Sequence, residues 1–176
     1  MAALSRTLLL LLVSALIACS GGDAPDRIVE GVNLTSLFAP PTQAEIDAVE
    51  EEWSRRDVSA QGVEIVATNT EGDLEVVVVA HTVGGVRHYG AFLVPVGAQP
   101  GTLPMLVYAH GGDGGADVDD LLPLLPFLLP GSLDSFVFVV PSFRDESLVY
   151  DGVAYRSDGP ASPWDYDVDD AVALLN

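Results

Sequence analysis

The sequence has 176 residues, of which 26 are Asp or Glu and 7 are Arg, with no Lys, so its formal charge at pH 7 is −19. We expect a chain this acidic to bind neither nucleic acid nor an anionic membrane surface, because both repel negative charge. The length leaves room for one domain once a leader is removed.

The N-terminus has the pattern of a bacterial lipoprotein signal. Arg6 precedes an apolar stretch over 8–18 that is too short to span a bilayer comfortably. The last three residues of that stretch and Cys19 resemble a lipobox, in which the cysteine becomes the diacylated N-terminus. We therefore predict a signal peptide over 1–18 and a protein lipid-anchored through Cys19 in the bacterial cell envelope, on its periplasmic or extracellular face. An ordinary signal peptide that contains the chain's single cysteine is the alternative.

The next segment links this leader to the folded part of the chain. Residues 19–41 are rich in Gly, Asp and Pro, and they predict a flexible tether. Residues 42–60 are predicted to hold an amphipathic helix over 43–55. Its start has the capping-box spacing of Thr42 and Glu45, and its apolar stripe has helical spacing at Ile46, Val49 and Trp53.

Three β-rich runs follow, at Val63–Thr68, Leu74–Val83 and Val86–Val94. The two glycines between the second and third runs predict a tight hairpin, which sets His81 directly opposite His88. Two opposed imidazoles can bind a transition metal, but a metal site also needs a third ligand, which the neighbouring sequence does not offer. We therefore interpret them as a solvent-facing histidine pair.

A short apolar strand over 104–109 leads into a glycine-rich loop, His110-Gly111-Gly112-Asp113-Gly114-Gly115. Glycines permit positive φ and leave main-chain N–H groups uncovered by side chains. Two such N–H groups aimed at one point can bind the oxygen that becomes negative when a carbonyl is attacked. A plain glycine turn is the alternative, and a phosphate-binding loop is disfavoured because the chain has no lysine.

Two apolar segments lie further along the chain. Residues 121–129 contain two prolines and predict irregular helical turns, capped by Asp119 or Asp120, that are part of the core or form a flap over a hydrophobic pocket. Residues 136–140 are continuously apolar and predict a strand buried in a parallel sheet. Ser142 follows this strand, but it lacks the flanking glycines of a nucleophile turn, so we assign it a structural role.

The last element predicted is a helix that opens with Ser162 at the N-cap and proline in its first turn. Its aspartates suit the positive end of the helix dipole. Their spacing copies the first ligands of a calcium loop but lacks the required Gly and Glu, so we predict no metal. We expect its buried stripe at Val168, Ala171, Val172 and Leu175.

Residues 61–176 resemble the N-terminal half of a bacterial lipoprotein α/β-hydrolase of the prolyl-oligopeptidase-like group of serine peptidases and esterases. The resemblance rests on three motifs in order: Tyr108 to Gly115, Val140-Pro141-Ser142-Phe143-Arg144, and Trp164-Asp165 with the acidic helix after it. It implies an α/β fold, with an α/β-hydrolase-type sheet of an antiparallel N-terminal hairpin followed by parallel strands with helices. No G-x-S-x-G occurs in the chain, so we expect it to stop before the nucleophile turn, with the catalytic Ser, Asp and His downstream of Asn176.

The resemblance also implies roles for individual residues. His110, Gly111, Gly112 and Asp113 would form the oxyanion loop, with His110 orienting it, and Arg144 and Glu146 would support the floor of the active site. Arg144 and Glu146 form either a local ion pair or a contact to substrate carboxylates. The implied activity is hydrolysis of a small ester or peptide through a serine acyl-enzyme, without a cofactor. The alternative is a non-catalytic binding lipoprotein on a hydrolase-derived scaffold.

Overall fold

The computed structural model describes residues 26–112, 114–162 and 165–176, which fall into two compact units divided between Trp53 and Ser54. In the first unit, two-residue strands β1 (Ile28–Val29) and β2 (Val32–Asn33) pair antiparallel. Helix α1 (Leu34–Leu37) follows, and the Asn33 side chain caps it by accepting a hydrogen bond from the Ser36 N–H at 3.1 Å.

Helix α2 (Gln43–Ser54) begins at the predicted capping box. The Thr42 N–H donates to the Glu45 carboxylate at 2.7 Å, and the Glu45 N–H donates to the Thr42 hydroxyl at 3.3 Å. Each residue thus satisfies an N–H that the first helical turn leaves without a partner. These hydrogen bonds hold the pKa of Glu45 below its usual value. The predicted helix and its cap are confirmed.

The second unit contains eight strands in two sheets. They are β3 (Gln61–Glu71), β4 (Leu74–Val83), β5 (Val86–Pro95), β6 (Met105–Val107), β7 (Ala116–Asp117), β8 (Val137–Pro141), β9 (Ser147–Tyr150) and β10 (Val153–Arg156). The larger sheet has the order β3-β4-β5-β8-β6, and the smaller has the order β10-β9-β7.

The predicted α/β-hydrolase-type sheet is wrong. Strands contain 36% of the described residues and helices 25%, and the sheets are mostly antiparallel. In the larger sheet β3, β4, β5 and β8 are successive antiparallel neighbours, and only β6 pairs parallel, with β8. The reason lies in connection length: two-residue turns join β3 to β4 and β4 to β5, and so short a link forces antiparallel pairing.

The buried run at 136–140 illustrates why the parallel assignment failed. Strand β8 is almost wholly buried, as its apolar sequence indicates, yet it has one antiparallel and one parallel neighbour. Continuous apolar sequence reports burial on both faces and carries no information on neighbour direction.

The β9–β10 hairpin was not predicted. Its turn is Asp151-Gly152, with φ of 50° and 69°, which is the left-handed pair that a two-residue hairpin requires. Strand β7 pairs parallel to β9 and completes the smaller sheet.

Short helical turns connect β7 to β8, as the prolines predicted. Helices α3 (Val118–Leu121) and α4 (Leu125–Leu128) are followed by a 3₁₀ turn at Leu133–Ser135. Asp117 rather than Asp119 or Asp120 is the cap, and it accepts a hydrogen bond from the Asp120 N–H at 3.0 Å. The inner side of α3 and α4 joins the main core, whereas Leu124, Phe127 and Leu128 are exposed.

Helix α5 (Tyr166–Leu175) packs on the other side of the larger sheet, where Leu174 contacts a small core of Val79 and Val139. The predicted buried stripe is only partly right: Leu175 packs against this small core, but Val168 is 39% exposed, and the residues that are buried are Asp169, Asp170, Ala173 and Leu174. Ion pairs with Arg56 and Arg144 compensate for the burial of the two aspartates. No helix in the described parts of the chain is long and apolar enough to cross a membrane.

Candidate functional site

Several polar side chains of the second unit lie at one end of the larger sheet. Strands β6 and β8 run parallel, so the segments that follow them, at His110 and Ser142, leave the sheet at the same end. Strand β5 begins at this end, because it runs antiparallel to β8 with Gly90 opposite Pro141. His88 therefore lies at this end too, opposite His81, so that all three histidines of the chain lie at the same end of the sheet.

His110 is held from two sides. Its Nε2 lies 2.9 Å from a carboxylate oxygen of Glu146, and its ring centroid lies 5.0 Å from that of Phe143. The His110 side chain is only 5% exposed and that of Glu146 only 12%. The buried imidazole thus contacts a carboxylate and an aromatic ring at the start of the glycine-rich loop, and the short distance to Glu146 is an ion-pair contact without hydrogen-bond geometry.

The loop after His110 exposes backbone. Gly111 and Gly112 are exposed, and Gly112 has a φ of +84°, a conformation that side-chain-bearing residues seldom adopt. Neither of their N–H groups donates a hydrogen bond to another described residue. Two successive free amides after a strand are suitable donors to an anion. Asp113 lies outside the described residues.

The far end of the loop is anchored by close packing. Gly115 has a φ of +88°, and a Cβ on it would lie 2.0 Å from the carbonyl oxygen of Ser147. Only glycine permits this approach to β9. Gly111 and Gly114, in contrast, have open space around the position of a Cβ.

Arg144 does not pair with Glu146, so the predicted local ion pair is wrong. Its guanidinium instead binds Asp170 of α5, with Nε 3.1 Å from one carboxylate oxygen and Nη2 3.1 Å from the other. The two side chains are 10% and 1% exposed. Arg144 also lies over the ring of Tyr166, 4.3 Å from its centroid.

The turn between Arg144 and Glu146 explains their different partners. Asp145 has a φ of 62°, and the Glu146 N–H donates to the Phe143 carbonyl at 3.1 Å. Aspartate tolerates this left-handed conformation better than most residues. The Asp145 carboxylate contacts Arg156 on β10. Arg144 is thereby directed to α5 and Glu146 to the glycine-rich loop.

His81 and His88 form a buried pair. The predicted register is confirmed, and the ring centroids lie 5.8 Å apart. The predicted exposure is wrong, because the two residues are 2% and 0% exposed. Helix α5 covers them: Nε2 of His88 lies 3.4 Å from the Asp170 carboxylate. Among the described residues no group of three potential ligands is arranged to hold a metal ion.

Burial shifts the pKa values of this cluster. It raises the pKa of Asp170 to about 6, although Arg144 offsets part of the effect. It lowers the pKa of His88 to about 4, helped by the nearby His81 and Arg144, and it also lowers the pKa of His81. Burial raises the pKa of Asp167, against the influence of Arg144 and His110. Each shift favours the uncharged form.

The position of Ser142 suits a structural role. It is 1% exposed, and its hydroxyl accepts a hydrogen bond from the Ser157 hydroxyl at 3.2 Å. Ser157 in turn accepts from the Tyr89 N–H at 3.1 Å. A hydroxyl enclosed in this way cannot reach a substrate carbonyl.

Sequence reasoning missed the aspartates of α5 as partners for buried arginines. Besides Arg144 and Asp170, Arg56 lies 2.7 Å from Asp165 and 3.1 Å from Asp169. A signal was present: Asp169 and Asp170 share a helix face with Ala173 and Leu174, four residues on. The face that contains Val168 is more apolar and was therefore expected to be buried. The positions of the arginines, which the sequence does not show, determine that the face with the aspartates is buried instead.

The predicted site residues thus fall into two groups. His110, Gly111, Gly112 and Glu146 come together at the loop, while Arg144 belongs to the ion pair with α5. Cys19 lies outside the described residues. The arrangement is able to present two backbone donors to an anionic oxygen beside a fixed imidazole. No family model, no curated protein and no solved structure matches the chain.

Proposed function

We propose that this chain contributes the oxyanion-binding loop of a serine hydrolase that cleaves a small ester or peptide. The proposal rests above all on the exposed N–H groups of Gly111 and Gly112, which follow strand β6 and make no hydrogen bond to another described residue. The anchoring of His110 by Glu146 and Phe143 supports it, because oxyanion donors act only when they are fixed beforehand.

In the proposed reaction a serine oxygen bonds to the substrate carbonyl carbon, and the electron pair of the C=O bond moves onto oxygen. The two amides stabilise that negative oxygen. Collapse of the intermediate expels the alcohol or amine, which takes up the proton that the serine hydroxyl lost, and water then hydrolyses the acyl-enzyme and restores the hydroxyl. Ser142 is excluded as the attacking residue by its burial, so the proposal requires a nucleophile other than Ser142.

The decisive experiment compares two glycine variants of the native protein. Gly112→Ala forces a side chain into a φ of +84°, whereas Gly114→Ala adds a Cβ in open space. We expect Gly112→Ala to lower kcat/KM for p-nitrophenyl esters by roughly 10²–10³-fold, the loss typical of one oxyanion donor. Gly114→Ala is the matched control and keeps wild-type activity.

Equal activity of the two variants, with unchanged melting, contradicts the oxyanion role. Absence of ester hydrolysis, together with absence of fluorophosphonate labelling on any serine of the native protein, contradicts the hydrolase proposal as a whole.

The same proposal includes attachment to the cell envelope through diacylated Cys19. The intact mass of the native protein distinguishes the possibilities. A lipid-sized increment on a chain that begins at Cys19 supports the anchor, and an unmodified mature chain contradicts it.

A further inference from the structure

A second concave site lies at the opposite end of the larger sheet from the glycine-rich loop. Its cavity of about 820 Å³ is framed by the β3–β4 turn, the end of β5 and the segment from α3 to the 3₁₀ turn. This volume is within the range of about 300–1,000 Å³ that is typical of small-molecule sites. Strand β5 begins beside the histidine pair and ends here at Pro95, so the two sites are separated by the length of the strand.

The walls of this cavity are apolar. Leu74 and Pro95 form a buried floor, Leu122 and Leu133 are half-buried, and Val96 is 61% exposed at the side. The geometry is fixed by backbone pairing, since the Val96 N–H donates to the Asp73 carbonyl at 2.9 Å.

The rim is acidic. Glu71, Asp73 and Asp134 are exposed and contribute carboxylates, and no basic residue is among the described residues that line the cavity. Outside the cavity, an aspartate or glutamate forms an ion pair with each of four arginines, Arg56, Arg87, Arg144 and Arg156. The cavity therefore combines apolar walls with carboxylates that form no ion pair with these arginines, although Glu71 accepts hydrogen bonds from Asn69 and Tyr150.

We propose that this cavity binds an organic cation with an apolar body, such as an aromatic quaternary amine. The apolar walls remove the body of the ligand from water, and the three carboxylates attract its positive charge. Anionic and phosphate-bearing molecules are repelled by the same rim. The site is independent of the proposed hydrolase activity.

Fluorescence titration of the full chain with berberine, a planar aromatic cation, tests this site. We expect saturable binding that weakens as NaCl rises from about 0.02 M to about 0.5 M, because the rim carboxylates are exposed to screening. The anionic probe 1-anilinonaphthalene-8-sulfonate should not compete. Equal binding of the anionic probe, or berberine binding without saturation, overturns the proposal.

Charge variants locate the site. Asp73→Asn should weaken berberine binding about threefold, as expected for one exposed ion pair. The matched control is Asp158→Asn, which removes an exposed carboxylate at the other end of β5, where its N–H donates to the Arg87 carbonyl. An equal effect of the control overturns the assignment of the site.

A pair of variants at the cavity mouth distinguishes occupation of the cavity from general attraction to an acidic protein. Val96→Arg places a cation at the mouth and should abolish binding, whereas the uncharged Val96→Gln should retain it. Folding is checked by thermal melting of each variant. Self-association that Val96→Arg abolishes, in a chain that does not bind berberine, would assign the cavity to a second copy of the chain and overturn the proposal.

Discussion

Asp170 and His88 are a buried acid and a buried base in contact, and burial moves their pKa values in opposite directions. The pKa of His88 falls to about 4, so the folded state resists its protonation and loses stability as pH falls from 6.5 to 4. The pKa of Asp170 rises to about 6, so the folded state takes up this proton first and gains stability as pH falls from about 6 to 3.8. The two contributions nearly cancel in the wild type.

A variant that lacks one of these two groups should therefore show the pH-dependent stability contribution of the other. We expect the stability advantage of the wild type over His88→Gln to shrink by about 3 kcal/mol between pH 7 and pH 4, since His88 then carries its full penalty. For Asp170→Asn the wild-type advantage should grow over the same interval. Urea denaturation at several pH values measures both, and a change of the same sign in the two variants contradicts these assignments.

At the scale of elements, the β9–β10 hairpin depends on its two-residue turn. Gly152 has a φ of 69°, where a Cβ is strained, so Gly152→Ala should lower the free energy of unfolding by about 1–2 kcal/mol. Asp151→Asn is the control, because asparagine tolerates a φ of 50° at least as well as aspartate. Denaturation that is unchanged by Gly152→Ala would show that the turn is not under this constraint.

The sequence allowed prediction of elements whose signals are local. The capping box of Thr42 and Glu45 and the hairpin that pairs His81 with His88 are set by residues a few positions apart. The Asp151-Gly152 turn carries an equally local signal, because Asp-Gly stands between the two short β-rich runs Leu148–Tyr150 and Val153–Tyr155.

Other features depend on contacts that are distant in sequence. The directions of the neighbours of β8 follow from how the whole chain is wound, and the burial of Asp170 depends on Arg144, which lies 26 residues earlier. The glycine-rich loop was identified from its composition, whereas the contact of His110 with Glu146 rather than with Arg144 required the turn at Asp145. Neither periodicity nor local propensity reports on such pairs.

At the scale of the whole molecule, a formal charge of −19 disfavours the compact state through self-repulsion. Salt screens exposed carboxylates but affects the buried Arg144–Asp170 pair much less. We therefore expect the Tm of the full chain at pH 7 to rise as NaCl increases from about 0.02 M to about 1 M. Differential scanning calorimetry measures this, and a Tm that falls with NaCl contradicts the prediction.

Strand β6, which leads into the glycine-rich loop, also has a consequence for biosynthesis. Its ladder partner is β8, about 30 residues later in the chain, whereas β3, β4 and β5 pair with immediate neighbours. The apolar segment Met105–Val107 therefore stays unpaired until the residues of its partner have emerged, whether the chain folds during synthesis or after export. During that interval the chain presents an unpaired strand to chaperones and proteases, so the rate at which the intervening residues emerge becomes a determinant of yield.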